Sequence, residues 1–316
     1  MRILITGGAG FIGSNFVRRI LDGTFTGFSR VTVLDKLTYA GNLDNLPKDG
    51  FEFVQGDICD EGLTKSLVNK NDLILNFAAE SHVDRSILDP RSFMMSNILG
   101  VQVLLNAVKE RADCRFLQVS TDEVYGSLQT GSADELSPLE PNSPYAASKA
   151  SADLLVRSFF RTFGINVLIT RSSNNYGPFQ FPEKLIPLFV TNLIRNKKLP
   201  IYGSGKNVRD WIHVDDNCRA IFRVLVDGVA GETYNIGGGN ELSNLEVARE
   251  ITRLMGTDDS KFQFVQDRAG HDFRYSVDAS KIGRELDFSP TMNFVSGLGS
   301  TIDWYQKNEV WWRKVI

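Results

Sequence analysis

Tyr145 and Lys149, in the run Tyr145-Ala146-Ala147-Ser148-Lys149, stand one helical turn apart and share a helix face. A phenol titrating near ~10 is a poor base at neutral pH, but a neighbouring ammonium favours the phenolate, which can take a proton from a hydroxyl. A second pattern is Ser120-Thr121-Asp122-Glu123-Val124-Tyr125-Gly126. Adjacent carboxylates at a strand's end are costly to ionise together, and one acid and one base result when one keeps a proton. The third is Thr6-Gly7-Gly8-Ala9-Gly10-Phe11-Ile12-Gly13. It satisfies GxGxxG through Gly8, Gly10 and Gly13, and GxxGxxG through Gly7, Gly10 and Gly13. Such glycines allow a tight turn and a close approach to pyrophosphate, which then meets the amino terminus of a helix. Asp35, roughly 20 residues beyond the loop, can accept from a ribose 2′-OH and repel a 2′-phosphate, favouring NAD over NADP. Lys36 beside it could instead tolerate that phosphate. Asp57-Ile58 falls where the adenine edge would lie, and Phe77-Ala78-Ala79 offers small residues where a cofactor approaches the backbone.

These groups need a frame. Arg2–Thr6, Val31–Leu34, Phe51–Gln55, Leu73–Phe77, Phe116–Ser120 and Val167–Thr170 are short apolar runs that read as strands. Helical patterns lie between several of them, at Ile12–Leu21, Gly62–Val68, Arg91–Lys109 and Tyr145–Phe163. The alternation predicts βαβ units and an α/β fold: a Rossmann-type, doubly wound parallel sheet. Past about Arg171 the rhythm changes. Ser172–Pro187 carries loop signals, helices follow at Leu185–Asn196, Val214–Val226, Leu245–Met255 and Phe294–Gln306, and a short strand lies at Thr233–Ile236. The expected organisation is a cofactor-binding domain over 1–171 and a smaller α/β substrate lobe mainly over 172–316, with later segments crossing back to the sheet.

Composition narrows the partners. The 316 residues hold 35 Lys+Arg and 38 Asp+Glu, a net charge of −3. No basic footprint for nucleic acid results, since that affinity comes from neutralising phosphates. Cys59, Cys114 and Cys218 are scattered, as are His82, His213 and His271, so no metal site is expected. No run reaches the ~20 apolar residues of a membrane helix. Met1 leads directly into the first strand, without a signal peptide pattern, and the expected location is the cytoplasm.

With the glycine loop, the Ser120–Gly126 run and the Tyr145–Lys149 run together, the chain resembles the extended short-chain dehydrogenase/reductase family. Within it, essentially the full length is similar to the dTDP-glucose 4,6-dehydratases. The resemblance also rests on Asp35-Lys36-Leu37-Thr38-Tyr39-Ala40-Gly41-Asn42, Ala78-Ala79-Glu80-Ser81-His82-Val83-Asp84-Arg85-Ser86, Asn174–Leu185, Arg209-Asp210-Trp211 and Gly270-His271-Asp272. It implies that Tyr145, with Thr121 and Lys149, deprotonates the sugar's C4 hydroxyl while NAD takes hydride. Glu123 would then remove the C5 proton, Asp122 would protonate the departing C6 hydroxyl, and hydride would return to C6. Recycled each turnover, NAD would be tightly held.

The resemblance further implies cofactor roles for Phe11, Ile12, Leu37, Thr38, Ser81, Ser96 and Asn175. Ser81, His82 and Asn174 match substrate positions near the sugar or its phosphates, as Lys184, Leu185, Pro200 and Tyr202 match the nucleotide pocket. Arg209 and Arg268 match diphosphate arginines, and Asn244, His271 and Tyr275 match further substrate contacts. A homodimer through the two long helices, and a product leading to rhamnose or another deoxysugar, are likewise implied. Ala269 departs from the family's usual proline and loosens that loop without removing a polar contact. A 4-epimerase or decarboxylase of the family needs no acid pair such as Asp122-Glu123. A dehydratase for another nucleotide sugar, and a non-catalytic NAD-sensing protein, remain as alternatives.

Overall fold

Strand residues alternate between two covered faces, and this makes the apolar runs continuous. A computed structural model describes residues 1–111 and 113–316. Its strands are β1 (Arg2–Thr6), β2 (Arg30–Asp35), β3 (Glu52–Gln55), β4 (Leu73–Asn76), β5 (Arg115–Thr121) and β6 (Asn166–Ser172). After them come β7 (Asn174–Tyr176), β8 (Leu199–Tyr202), β9 (Val208–His213), β10 (Thr233–Ile236), β11 (Glu241–Ser243) and β12 (Phe262–Val265). Seven form one parallel sheet in the order β10-β6-β5-β4-β1-β2-β3, the doubly wound arrangement expected.

The helices are α1 (Phe11–Leu21), α2 (Glu61–Val68), α3 (Val83–Leu88), α4 (Pro90–Met94), α5 (Gly100–Lys109) and α6 (Pro144–Phe163). Later come α7 (Leu185–Ile194), α8 (Val214–Asp227), α9 (Asn244–Leu254), α10 (Ser280–Leu286), α11 (Phe294–Lys307) and α12 (Glu309–Arg313). Ile3 and Ile5 face a core with Phe16 of α1, Ile221 of α8 and Ile282 of α10. Leu4 faces the other way, toward Leu67 of α2, Leu104 of α5 and Val156 of α6. Beneath the strand ends, Thr6 donates to Asn76 at 2.5 Å and Asn76 to Gln118 at 2.7 Å, so a buried polar ladder joins β1, β4 and β5. A third core holds Tyr176, Phe189, Trp211, Val247, Leu298 and Trp312, residues of the later chain.

Two expectations change. The helix read over Arg91–Lys109 is interrupted by a π turn at Met95–Leu99 between α4 and α5. Within the segment read as a loop at Ser172–Pro187, Asn174–Tyr176 forms β7, because β9 offers it a parallel partner through Trp211, Ile212 and His213. The late strand β10 pairs with β6, so the seventh strand of the sheet is supplied from beyond residue 171.

Candidate active site

Strand order reverses between β1 and β4, and a pocket of about 230 Å³ opens over their carboxyl ends, where open α/β sheets bind ligands. Gly7, Gly10, Phe11, Ile12 and Gly13 line one wall, with Asp35, Lys36 and Thr38 after β2 and Asp57 and Ile58 after β3. Phe77, Ala78, Ala79 and Ser81 after β4 line the other, joined by Ser96, Tyr145 and Lys149. Gly7 has a left-handed φ of 67°, and a Cβ there would stand 2.5 Å from the Ala78 nitrogen. A Cβ on Gly13 would stand 2.5 Å from the Gly7 carbonyl oxygen. The amino terminus of α1 has neither a side-chain cap nor an acid in its first turn, which leaves its free N–H groups for an anion. This cradle fits a dinucleotide's pyrophosphate.

Asp35 is buried and accepts from the Ala9 amide at 2.9 Å and the Leu37 amide at 2.8 Å. Lys36 is bound to Asp57 at 2.7 Å, so its charge is already answered and a 2′-phosphate gains little from it. Leu37 and Asn175 do not line the pocket. Leu37 works through its amide on Asp35. Asn175 turns its side-chain amide to the Ser173 carbonyl at 2.9 Å, while its own carbonyl accepts from Gln180, which does line the pocket.

Tyr145 and Lys149 of α6 line the pocket with Val119 and Ser120 of β5; Thr121, Asp122 and Glu123 do not line it but stand close enough to act on Tyr145. Ser143 caps α6 by accepting from the Ala146 amide, and the Tyr145 amide donates to Ser86 at 3.2 Å. Lys149 is buried and donates to the Val119 carbonyl at 2.7 Å, and burial pulls its ammonium down to about 8. Burial pushes the Tyr145 phenol well above its ordinary value, with Glu123 and Asp122 adding to the rise; the Thr121 hydroxyl opposes it. The Lys149 ammonium and the positive nicotinamide expected of the cofactor would have to act against that rise.

The carboxylates themselves sit in contrasting surroundings. Asp122 is buried, accepts from Thr121 at 3.1 Å through one oxygen, and has no partner for the other. Burial, then the Glu123 charge, raise it well above the usual carboxylate range, which favours its protonated form. Glu123 is also raised by burial, but Lys184, Arg209 and Arg268 all favour its charged form. The arrangement provides one acid and one base.

Of the remaining candidates, Lys184, Arg209, Arg268 and Tyr275 stand near Glu123. Lys184 lines the pocket and donates to the Ser81 carbonyl at 2.7 Å; Leu185 follows it as the first residue of α7. Arg209 lies 4.2 Å over the Tyr275 ring, but its guanidinium is committed to the carbonyls of Val208, Asp272 and Phe273. Tyr275 donates to Asp272 at 2.6 Å. Arg268 pairs with Asp84 at 2.5 Å and lies 5.5 Å over the ring of Tyr202, which is also edge-on to His271. His271 bonds Asp267 at 2.6 Å, and Pro200 precedes Tyr202 by two residues in β8. Asn174 has a buried side-chain oxygen without a partner, whereas Asn244 opens α9 with its amide on the Asn207 carbonyl. Burial, aided by the nearby Lys184 charge, pulls His82 down to about 4, so it is neutral near pH 7. His213 accepts from the Asp215 amide and caps α8, a structural use.

Several residues of the site were not singled out by sequence reasoning. Tyr39, Glu80, Phe181 and Glu183 line the pocket. Tyr39 packs edge-on to Phe181 and under Arg85 at 3.9 Å, and its place in the run after Asp35 was the available signal. Asn97 gave no signal at all. From the π turn it accepts from the Glu80 amide at 2.9 Å and donates to the Glu80 carbonyl at 3.0 Å and to Ser148 at 2.8 Å, binding the pocket wall to α6. Among the described residues no cluster of metal-ligand type occurs, and no helix is long and apolar enough to cross a membrane.

The family model described as GDP-mannose 4,6 dehydratase matches residues 4–301. A dTDP-glucose 4,6-dehydratase of Streptomyces niveus is 54% identical, over 99% of this chain and 95% of its own. One from Actinoplanes sp. is 52% identical, over 99% and 100%. The crystal structure of DesIV, a dTDP-glucose 4,6-dehydratase from Streptomyces venezuelae with NAD and dTDP bound, is 53% identical. It superposes with a TM-score of 0.98 over the whole of both chains.

Proposed function

We infer that this chain, which belongs to the GDP-mannose 4,6 dehydratase family, is an NAD-dependent dTDP-glucose 4,6-dehydratase. One observation carries the reading: Asp122, buried with one oxygen unpartnered, and Glu123, faced by Lys184, Arg209 and Arg268, share the turn after Thr121 close to Tyr145, an acid and a base that an epimerase does not need. NAD, when bound, supplies the oxidant for C4 of the sugar and the reductant for C6. Gly7, Gly10 and Gly13 would hold its pyrophosphate, Asp35 its ribose, and Asp57 and Ile58 would lie beside its adenine. Tyr145 takes the proton of the C4 hydroxyl, and Thr121 holds the same oxygen. The ketone formed at C4 acidifies the neighbouring C5–H; Glu123 removes that proton and gives it back to C5 when C6 is reduced. Asp122 gives its proton to the C6 hydroxyl, which departs as water. Arg209 and Arg268 are proposed to meet the substrate's diphosphate, with Lys184 at the nucleotide pocket.

The remaining roles are proposed on the same footing. Residues 172–316 mainly supply the nucleotide-sugar side of the cleft, and the enzyme works in the cytoplasm on a route to rhamnose or another deoxysugar. A homodimer is proposed through α4, α5 and α6, whose neighbourhood leaves Leu88, Met94, Met95, Leu99, Leu154 and Phe163 exposed. Light scattering on Leu154→Glu, expected to give monomers, tests it.

The activity test is direct. Purified protein incubated with dTDP-glucose should form a 4-keto product, read by its absorbance in alkali. No product from it, with turnover of a UDP-, CDP- or GDP-hexose, overturns the substrate assignment.

A further inference from the structure

One more ionisable group lies on the face of α6 that carries Tyr145 and Lys149. Asp153 follows Lys149 by one helical turn and Tyr145 by two, so the three share a stripe. Asp153 is fully buried; one oxygen accepts from Arg171 at 2.9 Å and the other has no hydrogen-bond partner. Arg171, beside Ser120 in the sheet, is equally buried and donates to the Tyr125 hydroxyl at 2.8 Å. Tyr125 donates in turn to Asn235 at 2.7 Å and closes the turn that holds Asp122 and Glu123. One ion pair thus ties the helix of Lys149 to the turn of the acid pair.

Packing does not require charge at this place. Buried ion pairs lose much of their attraction to desolvation, and apolar residues of similar volume often serve as well. We propose that Asp153 is a positioning residue for the hydride-transfer site: anchored by Arg171, its carboxylate holds Lys149 as a cation beside Tyr145 in surroundings that would otherwise neutralise it.

The charges around this end of α6 divide cleanly. Asp122 and Glu123 from the turn after β5, and Tyr39 from the loop after β2, act on Tyr145. Helices α3 and α4 and the π turn bring Ser86, Phe93 and Asn97, none of them ionisable. Asp153 opposes the effect of burial on Lys149, and Arg171 competes for the same carboxylate.

The inference rests on the reading of Tyr145 and Lys149 as the hydride-transfer pair, and its test needs no turnover. In protein carrying ¹³C-labelled lysine, the Lys149 Cε signal, assigned by its loss in Lys149→Met, should titrate near 8. Asp153→Asn should move that midpoint down by about one unit, a typical effect of removing one neighbouring charge, and Arg171→Met should move it up. The alkaline limb of kcat should follow in each variant, while Asp153→Glu keeps the wild-type profile. The double variant Asp153→Asn/Arg171→Met, which leaves no lone buried charge, should match Asp153→Asn. Unmoved midpoints, or a double variant that fails to fold, overturn the proposal. Shifted midpoints in a protein that turns over no nucleotide sugar refute the dehydratase reading and leave this one standing.

Discussion

The two halves of the cleft are made of different materials. On the cofactor side the recognising surface is backbone: Gly7 against Ala78, the free amides of α1, and Asp35 holding the Ala9 and Leu37 amides. On the proposed substrate side it is long side chains from distant segments, each already engaged with the protein. Lys184 reaches Ser81, Arg268 reaches Asp84, and Arg209 reaches the carbonyls around Asp272. A surface made of backbone tolerates no added atom, and a single substitution removes it. A surface made of side chains weakens by degrees, since each cation can be lost without moving the rest.

Substitutions can break or sharpen this contrast. The largest effect is expected for Glu123→Gln, with kcat falling about 1,000-fold as a positioned base is lost, while retained NAD stays at the wild-type level. Bound NAD measured after gel filtration checks that separation. Gly13→Ala should cost about 100-fold in NAD affinity, the upper range for overpacking, because its Cβ has only 2.5 Å to the Gly7 carbonyl oxygen. Nucleotide binding by the same variant, followed by calorimetry with dTDP, should be nearly intact. Arg268→Ala should raise KM about tenfold with kcat little changed, the loss of one charge-assisted contact. If it also releases NAD, the two halves are not independent. The mildest effect is on pH: Lys149 is cationic below about 8, so kcat should decline as pH rises through that value. A profile flat to pH 9.5 would remove the ammonium from the chemistry.

The same contrast explains what the sequence revealed. The cofactor half was legible because its signals are contiguous: glycine loop, then Asp35, then Phe77-Ala78-Ala79, each at the end of a strand whose apolar run announces it. The strands of the sheet also fell where periodicity placed them, although β7 was hidden by Asn174 and Asn175, which resemble loop residues until β9 pairs with them. In the substrate half, Lys184, Arg209, Arg268 and Tyr275 could be named only through family resemblance, since no local pattern brings these residues together. Resemblance located Arg209 but not its commitment to three carbonyls, which depends on the fold around Asp272. Asp153 and Arg171, a helix acid and a strand base, look ordinary in sequence; their burial against each other gives them meaning.

The π turn at Met95–Leu99 sets a phase. Each residue advances an α-helix by ~100°, so the extra residue of the wider turn offsets everything before it by about one such step from everything after it. The buried Phe93 and exposed Met94 of α4 and the buried stripe of α5 are matched to that offset, as are Ser96 at the pocket and Asn97 on Glu80 and Ser148. Deleting one residue there would tidy the hydrogen bonding and rotate one of these faces out of place. Point changes along this helix alter single contacts, whereas a change in its length alters which side of the helix faces the cofactor.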